Sequence, residues 1–269
     1  MASFSAFSGG YMSTSLRFMS FNLRTWTDGD GPLAFPHRAD RIRSVILSHS
    51  PDVIGFQEMT PSMKDMLRRL LPEYTLVGCG RDESYGNESM TIALKNEKME
   101  LISLEQFWLS PTPSIPGTRF PGDQSACPRM ALSALVVSRS CSIPVRICNV
   151  HLDHVGKQAR YLAMMQIIQY LSLRHEPTVL LGDMNALPDS PEIKLISEID
   201  FPLFLRDCTE TLGGTFHNYG RLAEPIKIDY IFTDLLCDHA MIVPEPDETS
   251  YYSDHFALIA DLDPLSVRR

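Results

Sequence analysis

Apolar runs of strand length alternate with helical patterns from residue 16 almost to the end of the chain. The runs at 16–21 and 52–56 are each followed by mostly apolar side chains spaced i, i+3, i+4 and i+7, which is one face of a helix. The second of these helices also has a start signal, with Thr60 as N-cap and Pro61 at the first helical position. The chain therefore opens with two strand–helix units.

The middle of the chain has a different pattern, because its apolar runs are short and broken by Gly, Pro and Asn. This predicts antiparallel strands at 74–77, 90–94, 99–109 and 130–137. The Pro-rich segment 111–128 predicts a long irregular loop, and since loops of this length in compact domains are usually functional, we expect it at the rim of a site.

The alternation then returns and continues without a linker. A strand at 145–150, a helix carrying Met164, Ile167, Ile168 and Leu171, and a strand at 178–181 are followed by two last strands at 228–232 and 256–262. We therefore predict one α/β domain over residues 16–265, preceded by a disordered Ser- and Gly-rich extension over residues 1–15.

Composition narrows the class of protein. The 269 residues include 24 Lys and Arg against 33 Asp and Glu, a net charge of −9, which makes extended duplex DNA an improbable partner. No apolar stretch approaches the roughly 20 residues of a membrane span, and no feature indicates a partner protein. The cysteines are scattered without a C-x-x-C pair, which favours a reducing compartment and a cytoplasmic location.

Acids, amides and histidines recur where the predicted strands begin or end. Taken singly, each has an ordinary structural explanation, such as an Asx turn at residues 182–185 or a core imidazole at His255. Their recurrence at the ends of strands that must be neighbours predicts a single site. The residues are Asn22, Glu58, His151, Asp183, Asn185, Asp229, Asp254 and His255.

This set is rich in oxygen ligands, which hard divalent cations such as Mg²⁺ or Mn²⁺ prefer. Histidines among carboxylates add a proton acceptor and a donor to phosphoryl oxygens. The composition of the set therefore predicts phosphate chemistry that depends on a divalent cation.

Six short motifs occur in order at these positions. They are Ser20-Phe21-Asn22, Phe56-Gln57-Glu58, Asn149-Val150-His151-Leu152-Asp153, Gly182-Asp183-Met184-Asn185, Ile228-Asp229-Tyr230-Ile231 and Ser253-Asp254-His255. At these residues the chain resembles the endonuclease/exonuclease/phosphatase superfamily, whose fold is DNase I-like, over residues 19–262. The resemblance implies an α/β fold in which two mixed β-sheets pack as a sandwich with flanking helices, in four layers, with the site at one edge.

The resemblance also implies a role for each residue. Glu58 would be the main metal ligand, with Asn22 beside it and Asp254 completing the metal environment. Asp183 would orient or deprotonate the attacking water, and Asn185 would hold the same water or a phosphoryl oxygen. Asp229 would fix and charge His255.

Four further residues have weaker assignments. His151 matches the second histidine of the superfamily, and Glu88 falls where some members place the carboxylate partner of that histidine. Arg129 matches a phosphate-contacting arginine, although a surface salt bridge is the alternative, and Arg24 is a similar candidate for binding substrate.

The predicted function is metal-dependent hydrolysis of phosphoester bonds by in-line attack of water. We expect a phosphodiesterase or nuclease that acts on small or single-stranded substrates. The alternative is a phosphomonoesterase or a lipid-headgroup phosphodiesterase. A non-catalytic binding domain is a third reading, which the presence of the whole residue set disfavours.

Overall fold

The strands form two six-stranded mixed sheets that pack face to face. The computed structural model describes residues 15–199, 203–247 and 250–267, so the predicted extension at 1–15 lies outside the described residues except for Ser15. The first sheet has the order β11-β12-β1-β2-β4-β3 and the second the order β5-β6-β7-β8-β10-β9. Each sheet has one parallel pair, β1 with β2 and β7 with β8, and its other pairs are antiparallel.

The strands of the first sheet are β1 (Leu16–Asn22), β2 (Val53–Met59), β3 (Tyr74–Val77), β4 (Ser89–Lys95), β11 (Leu235–Ile242) and β12 (Leu258–Val267). The strands of the second are β5 (Met99–Trp108), β6 (Met130–Ser138), β7 (Cys141–His151), β8 (Thr178–Asp183), β9 (Arg206–Asp207) and β10 (Asp229–Thr233). The helices are α1 (Phe35–His49), α2 (Pro61–Leu70), α3 (Lys157–Ser172) and α4 (Pro191–Glu198), and a short 3-10 helix covers Asp28–Leu33.

Three layers of apolar side chains hold the sheets and helices together. The central layer lies between the sheets and includes Phe18 of β1 and Ile147 of β7. One outer layer packs α1 and α2 on the first sheet, and the other packs α3 and α4 on the second. Because both faces of each sheet are covered, the inner strands are continuous apolar runs rather than alternating ones. The predicted four-layer sandwich is confirmed.

Some boundaries and elements differ from the prediction. The strand expected at 145–150 begins at Cys141, and its Pro144 is tolerated because pairing with β8 starts only at Arg146. The last strand runs over Leu258–Val267 rather than 256–262.

Sequence reasoning missed α4, β9, β11 and the 3-10 helix. Strand β11 lacks a clear period-two pattern because two register shifts interrupt its pairing with β12. Helix α4 has only eight residues, too few for a periodic signal. Among the described residues, no helix is long and apolar enough to cross a membrane.

Candidate active site

Three strands of the second sheet deliver acidic and imidazole side chains to one place. His151 ends β7, Asp183 ends β8 and Asp229 begins β10, and Asp183 is the register partner of both other residues. Adjacent strands lie only about 4.8 Å apart. The register of the sheet therefore brings the three side chains together.

The first sheet supplies Glu58 from a distortion in β2. The pairing of β2 with β4 shifts register between Phe56 and Met59, and Glu58 within this bulge has a positive φ of 61°. A bulge turns a side chain away from its regular direction. Its carboxylate accepts hydrogen bonds from the Thr25 backbone N–H at 2.8 Å and from Asn22 Nδ2 at 3.1 Å.

Asp183 lies at the centre of the site. Its Oδ2 is 3.0 Å from Asn22 Nδ2, 3.4 Å from His151 Nε2 and 3.8 Å from His255 Nε2. Its Oδ1 accepts the backbone N–H of Asn185 at 2.8 Å, a contact that Asn185 makes with a positive φ of 47°. One carboxylate thus joins residues from both sheets.

Asn22 bridges two carboxylates through its amide nitrogen. Nδ2 donates to both Glu58 and Asp183, while Oδ1 accepts the backbone N–H of Arg24 at 3.0 Å. Asn22 therefore holds the two carboxylates in place.

His255 is held by a buried carboxylate. Its Nδ1 lies 2.8 Å from Asp229 Oδ2, and Phe216 packs against the ring with the centroids 4.9 Å apart. Burial disfavours the charged ring, but the charge and hydrogen bond of Asp229, with the charges of Asp183 and Asp254, raise the pKa of His255 to about 10. The imidazole is therefore charged at neutral pH.

The carboxylates differ in their protonation. Burial, together with the charge of Asp229, raises the pKa of Asp183 to about 7, and burial also raises the pKa of Asp254. Burial opposes ionisation of Glu58 too, but the Thr25 N–H, His255 and Asn22 hold its pKa below the ordinary value.

Ligand atoms of Glu58, His151 and Asp183 lie within 4.8 Å of one another. This spacing and oxygen-rich chemistry fit a divalent cation.

His151 has a different environment from the one expected. Glu88, the expected partner, forms an ion pair with Arg81 at 2.9 Å, and no hydrogen bond joins Glu88 to His151 in the described part of the chain. Burial lowers the pKa of His151 well below its usual value, and the nearby Arg129 and Arg81 lower it further. His151 is therefore neutral, and the predicted pairing with Glu88 is corrected.

Arg129 is buried in the site rather than bridged at the surface. Its Nε lies 3.5 Å from Asp153 Oδ2 and its Nη2 lies 2.9 Å from His154 Nδ1. Asp153 in turn accepts hydrogen bonds from Ser125 in the Pro-rich loop. Arg24 lies near two carboxylates, Asp30 at 3.2 Å and Asp254 at 3.8 Å.

Every residue that the sequence predicts for the site, except Asn22 and Asp229, lines one cleft of about 400 Å³. Sequence reasoning missed other lining residues, which include Arg81, Phe216, Asn218, Tyr219 and Arg221. The segment 216–221 contains an Asn-Tyr-Gly run with three positive φ values, a turn signal that was available in the sequence. Its place in the site was not available, because it depends on the bridge between Phe216 and His255.

Solved structures share this architecture. An endonuclease/exonuclease/phosphatase protein from Bacteroides vulgatus is 29% identical, with a TM-score of 0.87, over 92% of this chain and 98% of that one. A mannosyl-6-phosphatase from Bacteroides thetaiotaomicron is 26% identical, with a TM-score of 0.83, over 92% and 99%. The human Nocturnin catalytic domain, 18% identical with a TM-score of 0.71 over 92% and 93%, shares the fold alone.

A comparison with proteins of curated function gives no match. The family model "Endonuclease/Exonuclease/phosphatase family" matches residues 19–255, which contain all six motifs and every residue of the site described above. Members of this family hydrolyse phosphoester bonds, and the fold of this chain supports hydrolase activity. The chain belongs to the endonuclease/exonuclease/phosphatase family.

Proposed function

We propose that this protein is a divalent-metal-dependent hydrolase of phosphoester bonds in small substrates. The observation that carries the proposal is the convergence of Glu58, Asp183 and His255 on one small cleft. In this arrangement Glu58 would bind a cation, Asp183 would bind the attacking water, and the charged His255 would bind phosphoryl oxygens. Residues 16–265 would act as a single catalytic domain.

Glu58 and Asp254 would hold the cation, with Asn22 orienting Glu58. Mg²⁺ or Mn²⁺ suits these oxygen donors, and when bound it would offset charge on the phosphoryl group. The raised pKa of Asp183 and of Asp254 supports a site that needs positive charge, since crowded buried carboxylates resist ionisation.

Asp183 and Asn185 would handle the attacking water. Asp183 Oδ2 faces the cleft among His151, His255 and Asn22, and a pKa near 7 suits a group that accepts a proton at neutral pH. The Asn185 side chain donates to the Leu152 carbonyl at 3.1 Å, which fixes its amide in the same cleft. Water held by these two groups would be directed at the phosphorus in line with the leaving group.

The two histidines would have separate roles. Charged His255, anchored by Asp229, would stabilise the negative charge that grows on phosphoryl oxygens in the transition state. Neutral His151 would contribute a hydrogen bond rather than a charge. No covalent intermediate is needed.

The size of the cleft favours small phosphoesters, and the acidic net charge disfavours extended duplex DNA. Within this class we keep two candidates, phosphodiesters and phosphomonoesters. The structural similarity to a mannosyl-6-phosphatase supports the second, because that protein is named for a phosphomonoester of a sugar.

The cysteines, none of which is in a disulfide, support a reducing compartment such as the cytoplasm.

A direct assay tests the proposal. Purified protein is incubated with p-nitrophenyl phosphate, bis-p-nitrophenyl phosphate, single-stranded oligonucleotides and sphingomyelin, each with Mg²⁺, Mn²⁺ or EDTA. We expect metal-dependent hydrolysis of at least one small ester and none in EDTA. Asp183→Asn should abolish the activity, whereas Asn96→Ala, at an exposed site that bonds Thr75 and Pro72, should retain it. Hydrolysis that survives both EDTA and Asp183→Asn would contradict the proposal.

A further inference from the structure

Two buried arginines face the cleft in addition to the groups already assigned to the reaction. We propose that Arg81, together with Arg129, forms a two-arginine site that selects phosphomonoesters over phosphodiesters. This inference rests on the proposed function and adds its substrate class. It assigns a specificity role to Arg81, which lies outside all six motifs.

Arg81 is held firmly at the wall of the cleft. Only 4% of its surface is exposed, and its backbone makes hydrogen bonds on both sides, from its N–H to the Glu88 carbonyl at 3.0 Å and from Trp108 Nε1 to its own carbonyl at 2.6 Å. The Glu88 carboxylate, at 2.9 Å, orients the guanidinium. Contacts within the protein therefore preorganise the side chain.

Arg129 presents the second guanidinium. It is also 4% exposed and lines the same cleft as Arg81. Burial lowers the pKa of Arg129, and the charge of Arg81 lowers it further. Asp153, its acidic neighbour, already accepts hydrogen bonds from Ser125, Val155 and Gly156. The cleft therefore contains two guanidinium groups. The nearby carboxylates already have partners, because Glu88 pairs with Arg81 and Asp153 accepts other hydrogen bonds.

Several N–H donors of this pair have no acceptor. In the described part of the chain, Arg81 Nε and Arg129 Nε and Nη1 are buried without a hydrogen-bond partner. A buried N–H donor of a charged group that makes no hydrogen bond costs free energy. An anion in the cleft supplies the missing acceptors, and planar guanidinium groups match phosphate oxygens in two-pronged fashion.

The number of oxygens decides which anion fits. A phosphodiester has two non-bridging oxygens and one negative charge, whereas a phosphomonoester has three and approaches two charges at neutral pH. In the proposed mechanism the cation site and His255 already serve two phosphoryl oxygens. The N–H donors of Arg81 and Arg129 are then available for a third phosphoryl oxygen. In a diester the corresponding oxygen is an uncharged ester oxygen that carries a carbon group.

The test compares two esters in one set of variants. For Arg81→Met, kcat/KM for p-nitrophenyl phosphate should fall about 100-fold with Mn²⁺, and the fall for bis-p-nitrophenyl phosphate should be at least about ten-fold smaller. For Arg81→Lys the fall in kcat/KM should be intermediate, because lysine keeps the positive charge but lacks the paired N–H donors of a guanidinium. Equal losses on both esters would overturn the inference.

Folding is controlled in two ways. The double variant Arg81→Met/Glu88→Gln removes both charges of the ion pair, so no carboxylate is left buried alone, and it should show the same change in ester preference. Arg146→Met breaks the ion pairs of another buried arginine, with the partly exposed Glu105 and Glu176, at the middle of β7 and outside the lining of the cleft. It should lower stability without changing the ratio of the two kcat/KM values.

Anion binding gives a readout independent of turnover. Titration calorimetry of the metal-free protein with orthophosphate should show binding that weakens at least about ten-fold in Arg81→Met. Unchanged orthophosphate affinity would also overturn the inference. If the wild-type protein hydrolyses neither ester with any metal, the proposed function itself fails, whereas hydrolysis without an Arg81-dependent preference refutes the arginine site alone.

Discussion

Gln57 of β2 and Asn149 of β7 are joined by a hydrogen bond of 2.7 Å between Nε2 and Oδ1 across the interface of the two sheets. Asn149 Nδ2 also donates to the carbonyls of Phe56 at 2.9 Å and Thr91 at 3.0 Å. Gln57 directly precedes Glu58 in the chain. The polar link between the sheets thus lies next to the candidate metal ligand Glu58.

Asn149→Ala should lower the free energy of unfolding by about 3 kcal/mol, because two buried carbonyls lose their side-chain donor and the Gln57 amide keeps its bond to the Gly55 carbonyl but loses the one to Asn149. Denaturant titration followed by circular dichroism measures the change. The exposed Asn96→Ala, by contrast, should stay within about 0.5 kcal/mol of wild type. A loss below about 1 kcal/mol for Asn149→Ala would show that water or repacking replaces the link.

Asp229→Asn should reduce kcat for a small phosphoester about 100-fold while the protein stays folded. Asparagine keeps the size of the side chain and removes the charge that holds His255 protonated. Steady-state kinetics and a thermal melt on the same sample measure both quantities.

The matched control is Asp207→Asn. Asp207 pairs with Lys227 at 3.2 Å and does not line the cleft, so its neutralisation should leave kcat near that of wild type. Equal kcat in the wild type and Asp229→Asn would remove the Asp229–His255 pair from the reaction.

Glu58→Gln should weaken Mn²⁺ binding at least about 100-fold, since an amide oxygen lacks the charge and basicity of a carboxylate. Titration calorimetry measures the affinity directly. Glu100→Gln, which changes an exposed carboxylate paired with Arg139, should bind Mn²⁺ as wild type does. Retained affinity in Glu58→Gln would place the cation elsewhere.

Asp153 should make the rim of the cleft sensitive to acid. Burial acts against its charge, but hydrogen bonds from Gly156, Ser125 and Val155 hold its pKa at about 2. Because this value lies below the roughly 3.9 of an unfolded Asp, its stabilising effect is complete above about pH 4 and is lost as the pH falls toward 2.

Asp153→Asn should therefore lower Tm at neutral pH and flatten the fall in Tm between about pH 4 and pH 2. Thermal melts across this pH range measure both effects. Asp82→Asn provides the comparison at a more exposed loop acid, which receives hydrogen bonds from Ser84 and Gly86. An unchanged pH dependence in Asp153→Asn would show that the Pro-rich loop does not depend on this carboxylate.

Much of the fold followed from pattern alone. Inner strands such as β1 and β8 are apolar on both faces because a helix layer covers one face and the second sheet the other, so their runs stand out in sequence. Strand β11 did not stand out, because it lies at an edge and its bulges break the period.

The candidate site was accessible from sequence for the same reason. Asn22, Asp183 and His151 are polar residues at the ends of apolar runs, and sheet geometry gathers such ends. Arg81 and the segment 216–221 carry no comparable signal. They lie in irregular stretches, and nothing in local composition specifies where such a stretch returns in space.

The sequence by itself determined the layers of the protein and the polar residues that end its strands, because burial and strand periodicity act over a few neighbouring positions. The tertiary structure alone decided which charges meet. In the folded chain Glu88 pairs with Arg81 instead of His151, and His151 is neutral whereas His255 is charged. Two buried arginines, Arg81 and Arg129, have N–H donors without an acceptor among the described residues. These outcomes depend on distances of a few ångströms between distant segments, over which Coulomb and desolvation energies change steeply.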